Sequence, residues 1–173
     1  PLSKAKKDGD NIYAVIKGSS INHGGKANGF TVPNPNAQGD VIVQALKSCN
    51  IDARSISYIE THGTGTALGD PIEVRGLTKA FNTKEKQFCK IGSIKSNIGH
   101  CEGAAGIAAV TKVALQLRNK QLFPSLHAEV ENKLIDFKNT PFAIQKNLET
   151  WKQPVAEIEG ELVTFPRRAG ISS

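Results

Sequence analysis

The sequence predicts an α/β layered fold, and two observations support that class. Apolar segments rich in β-branched residues occur over about residues 12–21, over 55–63 and near residue 90, and segments with helical periodicity follow them. Polar loops that contain glycine join each strand-like segment to the next helical one. Strands that alternate with helices are typical of a sheet that packs against layers of helices.

The first strand is predicted over about residues 12–21, within NIYAVIKGSSIN, and the GG pair at 24–25 ends it. The loop GFTVPNPNAQ then leads to a helical pattern that begins at Gly39 and ends near residues 49–50. Its apolar face is formed by Val41, Ile42, Ala45 and Leu46.

The second strand is predicted in SISYIETHG, a short buried segment whose carboxyl end enters the glycine-rich loop HGTGTALGD. Asp70, Pro71 and Glu73 have the residue types of an N-cap and of the first and third helical positions. They predict a helix that runs to about Phe81. The loop is therefore expected to be held from both sides.

A second unit of strand, loop and helix is predicted after the first. CKIGSIKSNIGH predicts a strand and a polar loop, and EGAAGIAAVTKVALQLRN predicts a long helix whose small residues permit close packing. We expect this helix to be central and buried. Further short strands are predicted over residues 142–144 and 162–165.

Composition limits the function classes. The net charge of +6 suits an acidic partner, but the lysines are scattered and aromatic residues make up only 6% of the 173 residues, so nucleic-acid binding is not expected. Three cysteines without a C-x-x-C pair indicate a reducing compartment, and we expect a cytoplasmic location. No apolar run reaches the roughly 18 residues of a membrane span. The chain begins without methionine and stops on AGISS, so we expect a piece of a longer protein.

Two histidines occupy equivalent places. His62 follows a predicted strand, and His100 lies between a polar loop and the start of the alanine-rich helix. Together they could form an electrophilic pair, with Lys95 adding positive charge at the same end of the sheet, and such a set would stabilise a developing oxyanion. The alternative is that each histidine is a structural hydrogen-bonding residue.

The threonines of the HGTGT stretch allow two interpretations. The hydroxyls of Thr64 and Thr66 could hold a polar ligand arm, or they could form a local turn that satisfies backbone amides. A nucleotide site is not expected, because the loop has neither the G-K-[ST] ending of a phosphate-binding loop nor G-x-G-x-x-G spacing.

No metal site is expected, because His100 and Cys101 are adjacent and point apart, and Cys49 and Cys89 have no ligand-type neighbours at short range. Cys101 near a helix start could have the lowered pKa of a nucleophile. We favour a packing role for it, since a hydrophobic residue would suit that position.

ETHGTGTALGDPIE together with KIGSIKSNIGHCEGAAG resembles the two histidine motifs of β-ketoacyl synthases. INHGGKANGFTVPN and FPRRAGISS resemble ketosynthase domains of modular polyketide synthases, and PRRAGISS resembles the type that receives its acyltransferase in trans. The resemblance extends over residues 11–173. It implies a thiolase-like fold of two related α/β halves, with residues 1–25 ending the N-terminal half. Residues 26–173 would form most of the C-terminal half and stop before a final glycine-rich segment.

The resemblance also implies site residues. In this family a cysteine accepts an acyl group from a pantetheine thioester, and two histidines promote decarboxylation of a malonyl unit on acyl carrier protein. By motif, His62 and His100 are the catalytic histidines, and Thr64 and Thr66 contact the pantetheine arm. Lys95 is the KSNIGH lysine, expected to orient His100 and to pair with Glu102.

The chain departs from the family pattern because it has no DTACSS-like motif and hence no nucleophilic cysteine. We expect the parent to be a condensing enzyme and this chain alone to be inactive, with no bound cofactor. Implied partners are acyl carrier protein, the remaining half of the ketosynthase domain and a second copy in a homodimer. The alternative is a non-condensing thiolase-like half that binds acyl-pantetheine or carrier protein.

Overall fold

The computed structural model describes residues 1–25 and 34–173. The helices in these residues are α1 (Leu2–Asp8), α2 (Pro35–Ser48), α3 (Gly69–Phe81), α4 (Lys95–Ile98) and α5 (Ala105–Asn119). The strands are β1 (Tyr58–Glu60), β2 (Cys89–Gly92), β3 (Gln121–Leu122), β4 (Phe142–Ile144), β5 (Glu149–Thr150), β6 (Val155–Ile158), β7 (Glu161–Thr164) and β8 (Ala169–Ile171). None of the described helices is long and apolar enough to cross a bilayer.

A four-stranded parallel sheet, in the order β4-β2-β1-β8, organises the fold. Tyr58 of β1 stands level with Lys90 of β2 and with Ala169 of β8. Because parallel strands end at the same edge of a sheet, the loops that follow β1 and β2 meet there. The two small sheets, β3-β5 and β6-β7, are antiparallel.

Successive side chains of β1 point to opposite faces of the sheet. Ile59 packs into a core with Leu77 and Phe81 of α3, and the Phe81 ring meets that of Phe142 edge-on at 4.9 Å between centroids. Tyr58, on the opposite face, packs with Val113 of α5. The sheet therefore lies between helices, which confirms the α/β layered fold.

The predicted strand over residues 12–21 is wrong. These residues form no regular structure, and Ile16 and Ile21 are 83% and 92% exposed. A strand needs a neighbour to complete its hydrogen bonds, and within the described residues no strand pairs with this segment. The β-branched side chains of this segment are therefore not sufficient to form a strand.

Helix α2 is confirmed, although it begins at Pro35, four residues before the predicted start at Gly39. The start moves because the side chain of Asn34 caps it, accepting from the backbone N–H groups of Asn36 and Ala37. The end at Ser48 matches the prediction. Most of the predicted loop that precedes the helix lies outside the described residues.

Helix α3 ends at Phe81 as predicted, but Asp70 is not its N-cap. The helix begins at Gly69, and the Asp70 carboxylate accepts from the backbone N–H of Gly65 at 3.1 Å. The Gly69 N–H is satisfied by the Thr66 hydroxyl. The carboxylate near the helix start therefore stabilises the preceding loop instead of the helix end.

Helix α5 is confirmed but is buried on one face only. Ala109 and Val113 face the sheet, whereas Ile107 is 64% exposed, because the described layers cover only one side of the helix. Strand β4 has the predicted bounds, and β7 lies one residue before the predicted 162–165.

Candidate active site

The HGTGT loop is fastened to α3 by a buried carboxylate. Glu73 Oε1 accepts from the backbone N–H of His62 at 2.7 Å, and its Oε2 accepts from that of Gly63 at 2.9 Å. Burial raises the pKa of the Glu73 carboxyl, and the two hydrogen bonds oppose that rise. The backbone that bears His62 is consequently fixed relative to the helix.

Lys95, the first residue of α4, holds the other side of His62. Its Nζ donates to the His62 carbonyl oxygen at 2.5 Å and lies 3.5 Å from Nδ1 of the same residue. An ammonium group has donors only, so Nδ1 is the acceptor and the ring hydrogen lies on Nε2. Burial lowers the pKa of His62, and the positive charge of the neighbouring Lys95 lowers it further, which favours the neutral ring.

The ring of His100 lies next to the ring of His62. Its ring centroid lies 5.3 Å from that of His62, with an angle of 80° between the planes. Its Nδ1 accepts from the backbone N–H of Glu102 at 3.0 Å, which leaves the hydrogen of the neutral ring on Nε2. The structure thus brings the two predicted histidines together.

The contacts of Lys95 differ from the expected ones. Lys95 contacts His62 instead of orienting His100, and the ion pairs among the described residues do not include one between Lys95 and Glu102. Glu102 acts on His100 through its backbone N–H, from a residue with φ of 46°. Backbone geometry of this kind is not visible in side-chain types.

Thr64 and Thr66 are exposed on the loop, with hydroxyl oxygens 3.4 Å apart. The Thr66 hydroxyl also accepts from the Gly69 N–H at 3.0 Å, so part of the local-turn interpretation holds for this residue. Exposure of both side chains leaves them accessible to a ligand.

Sequence reasoning missed two buried carboxylates below the histidines. Glu73 was interpreted as a helix-start residue, and Glu60, which is completely buried in β1, was not considered. Glu60 Oε1 accepts from the backbone N–H of Ile94, the residue before Lys95, at 2.5 Å. A charged residue inside a strand that otherwise reads as buried was the available signal.

The three cysteines have different surroundings. Burial raises the pKa of the Cys89 thiol well above its usual value, and Cys49 follows the end of α2. Cys101 is half-buried beside His100, with its sulfur 3.8 Å from the Gly99 carbonyl oxygen. Among residues 1–25 and 34–173, no three metal-ligating side chains form a group.

Comparison with known proteins decides the family. Residues 13–129 match the family model described as "Beta-ketoacyl synthase, C-terminal domain". The chain belongs to the β-ketoacyl synthase family. Polyketide synthase PksL of Bacillus subtilis is 61% identical over all of this chain, and polyketide synthase ThaG of Burkholderia thailandensis is 51% identical. This ketosynthase chain spans 4% and 3% of the lengths of those two relatives.

Solved ketosynthases have the same fold. The ketosynthase from module 6 of the bacillaene synthase of Bacillus subtilis superposes with a TM-score of 0.89 at 42% identity. The oxazolomycin ketosynthase domain OzmH KS7 of Streptomyces albus gives 0.89 at 46%. In both cases the match covers 99% of this chain and 30% of the other. The predicted class, the C-terminal part of a thiolase-like ketosynthase of the trans-acyltransferase polyketide synthase type, is confirmed.

Proposed function

We propose that this chain supplies the electrophilic half of a ketosynthase active site. The observation that carries the proposal is that both Nδ1 atoms have hydrogen-bonding partners: Lys95 Nζ lies 3.5 Å from that of His62, and the Glu102 N–H donates to that of His100. With Nδ1 as an acceptor, each ring carries its hydrogen on Nε2, from which both can donate to one substrate oxygen. Two fixed donors at a developing oxyanion are a strong source of rate enhancement.

The first step of the proposed reaction is decarboxylation of a malonyl thioester. The bond between the carboxylate carbon and the α-carbon breaks, carbon dioxide leaves, and the electron pair forms an enolate whose charge lies on the thioester oxygen. His62 and His100 donate hydrogen bonds to that oxygen without losing their protons. The lowered pKa of His62 supports this role, because it keeps the ring neutral.

The second step forms the new carbon–carbon bond. The enolate carbon attacks the carbonyl of an acyl group held on a cysteine as a thioester, and the cysteine thiolate leaves. In the proposal that cysteine belongs to another part of the ketosynthase. The burial of Cys89 and the contact of the Cys101 thiol with the Gly99 carbonyl support this division of roles.

The proposed partners follow from surface properties. Substrates would arrive on the phosphopantetheine of an acyl carrier protein, with Thr64 and Thr66 against the arm, and a net charge of +6 suits an acidic carrier. Ile16 and Ile21 are strongly exposed, which supports the proposal that the remaining part of the ketosynthase covers them. We propose that the complete ketosynthase forms a homodimer. Three unpaired cysteines support a cytoplasmic location.

Acylation tests the division of roles. This chain, and a chimera that joins it to the upstream part of the PksL ketosynthase, are incubated with a short acyl-pantetheine thioester, and their intact masses are measured. We expect one acyl group on the chimera and none on the chain alone, because the nucleophile lies upstream. Cys101→Ala in the chimera is the matched control and should leave acylation unchanged.

Acylation of this chain alone would contradict the proposal, and the loss of that acylation in Cys101→Ala would identify the true acceptor. A chimera that is acylated but releases no carbon dioxide from a malonyl thioester would instead support the non-condensing alternative, in which the thiolase-like half binds acyl-pantetheine or carrier protein.

A further inference from the structure

A buried ion pair lies beneath the two histidines. The side chains of Glu60 in β1 and Lys112 in α5 are 0% and 4% exposed, and Lys112 Nζ lies 2.8 Å from Glu60 Oε2. The Tyr58 hydroxyl donates to the same oxygen at 2.6 Å. A buried pair of this kind contributes little net stability compared with an apolar pair of similar shape, so its presence requires another explanation.

The second oxygen of Glu60 connects the pair to the site. Oε1 accepts from the Ile94 N–H at 2.5 Å, and Ile94 is the N-cap of α4, directly before Lys95. The backbone oxygen of Glu60 accepts from the Ser172 N–H at 2.9 Å, which fixes the strand itself. One carboxylate group therefore joins the strand that precedes His62 to the turn that bears Lys95.

The space for this cluster comes from Gly92 of β2. A Cβ at Gly92 would lie 2.9 Å from the Tyr58 hydroxyl oxygen and 3.6 Å from Lys112 Nζ. The sheet therefore leaves room for the tyrosine and the lysine to approach Glu60 together.

We infer that Glu60 is a positioning residue: through Ile94 it holds the Lys95 ammonium against Nδ1 of His62 and thereby fixes the Nε2–H tautomer of that ring. The inference rests on the proposed function for the use of that tautomer. Lys112 places its positive charge 2.8 Å from Oε2, to which the Tyr58 hydroxyl donates, while Oε1 faces the turn.

A carboxylate is needed at this position because both of its oxygens accept hydrogen bonds. In Glu60→Gln the amide has one acceptor oxygen and one donor NH₂ group. The buried ammonium of Lys112 attracts the oxygen, so the NH₂ group faces the Ile94 N–H, and two donors oppose each other. The turn must then move, and Lys95 moves with it.

Removing the ammonium as well should restore the contact. In the double variant Glu60→Gln, Lys112→Met the amide can rotate, so that its oxygen accepts from the Ile94 N–H and its NH₂ group donates to the Tyr58 oxygen. Recovery of stability alone does not distinguish the roles, because removing the unpaired Lys112 ammonium stabilises the double variant in either case, so the deciding readout is the tautomer of His62.

The test uses this chain labelled with ¹⁵N-histidine, and two-bond ¹H–¹⁵N correlation spectra report the tautomer of His62. We expect Glu60→Gln to shift the His62 nitrogen resonances toward the mixed-tautomer values of free histidine, and the double variant to return them to the original positions. Tyr58→Phe, which removes a donor from Oε2 only, and Val113→Ala, in the core beside Lys112, should leave them unchanged.

An unchanged His62 tautomer in Glu60→Gln would overturn the inference, as would equal shifts in Glu60→Gln and Val113→Ala. If the single variant does not fold, the double variant decides, since a mixed tautomer there contradicts the inference and the original tautomer supports it. The readout is independent of condensation activity, so a failure of the proposed function is distinguishable from a failure of this inference.

Discussion

Replacement of either histidine by asparagine, His62→Asn or His100→Asn, is expected to lower the rate of malonyl decarboxylation by about 100- to 1,000-fold in the chimeric ketosynthase. The asparagine NH₂ group reaches the position of Nδ1, which in both rings is an acceptor, and leaves the position of Nε2 without a donor. Each change removes one of the two donors that we propose for the enolate oxygen. The measurement is release of carbon dioxide from a malonyl thioester.

Glutamine is the matched variant for this prediction, because its NH₂ group reaches the position of Nε2. His62→Gln and His100→Gln should therefore lose markedly less activity than the asparagine variants. His127→Asn, a change in an exposed histidine outside the site, should have no effect. Equal losses for asparagine and glutamine would refute the assignment of Nε2 as the donating atom.

A stability effect of about 2–4 kcal/mol is expected for Gly63→Ala, from the sum of left-handed backbone strain and overpacking. Gly63 has φ of 47°, and an added Cβ would lie 2.7 Å from Thr61 Oγ1 and 2.8 Å from Ser93 Cβ. Neither neighbour can move easily, since Thr61 is held to Gly92 and both side chains are buried. The free energy of unfolding is measured by urea denaturation.

Gly65→Ala separates the two contributions. Gly65 also has a positive φ, of 72°, but an added Cβ would meet nothing within 4 Å. Only the backbone strain of about 1 kcal/mol is expected there. Equal destabilisation of the two alanine variants would show that the close approach of the loop to Ser93 does not constrain it.

Much of the fold was predictable because local signals and tertiary packing agree. Strand β1, helix α3 and strand β4 have buried residues, and Ile42 and Leu46 of the predicted apolar face of α2 pack against the same core. The proximity of His62 and His100 was also predictable, since each follows a strand of the same parallel sheet. The order of elements sufficed to place both loops at one edge.

The parts of the fold and of the site that were not predictable depend on tertiary contacts that residue types do not encode. Residues 12–21 have strand-like composition but no neighbour to pair with, whereas β8, with the unremarkable sequence AGI, pairs with β1. The turn that precedes Lys95 is bound by a carboxylate from β1, since the Ile94 N–H donates to Glu60 Oε1. The contacts of Glu60 are not evident from the sequence, because they form only when β1, α4 and α5 are brought together.

The most direct test of the account is the tautomer of the histidines in the unmodified chain at pH 7, read from two-bond ¹H–¹⁵N correlations of the four histidines. We expect the ring hydrogen on Nε2 at both His62 and His100, and a His62 that stays neutral to a pH below its ordinary pKa of about 6.5. An Nδ1–H ring at either position, or a charged His62 at pH 7, would contradict it.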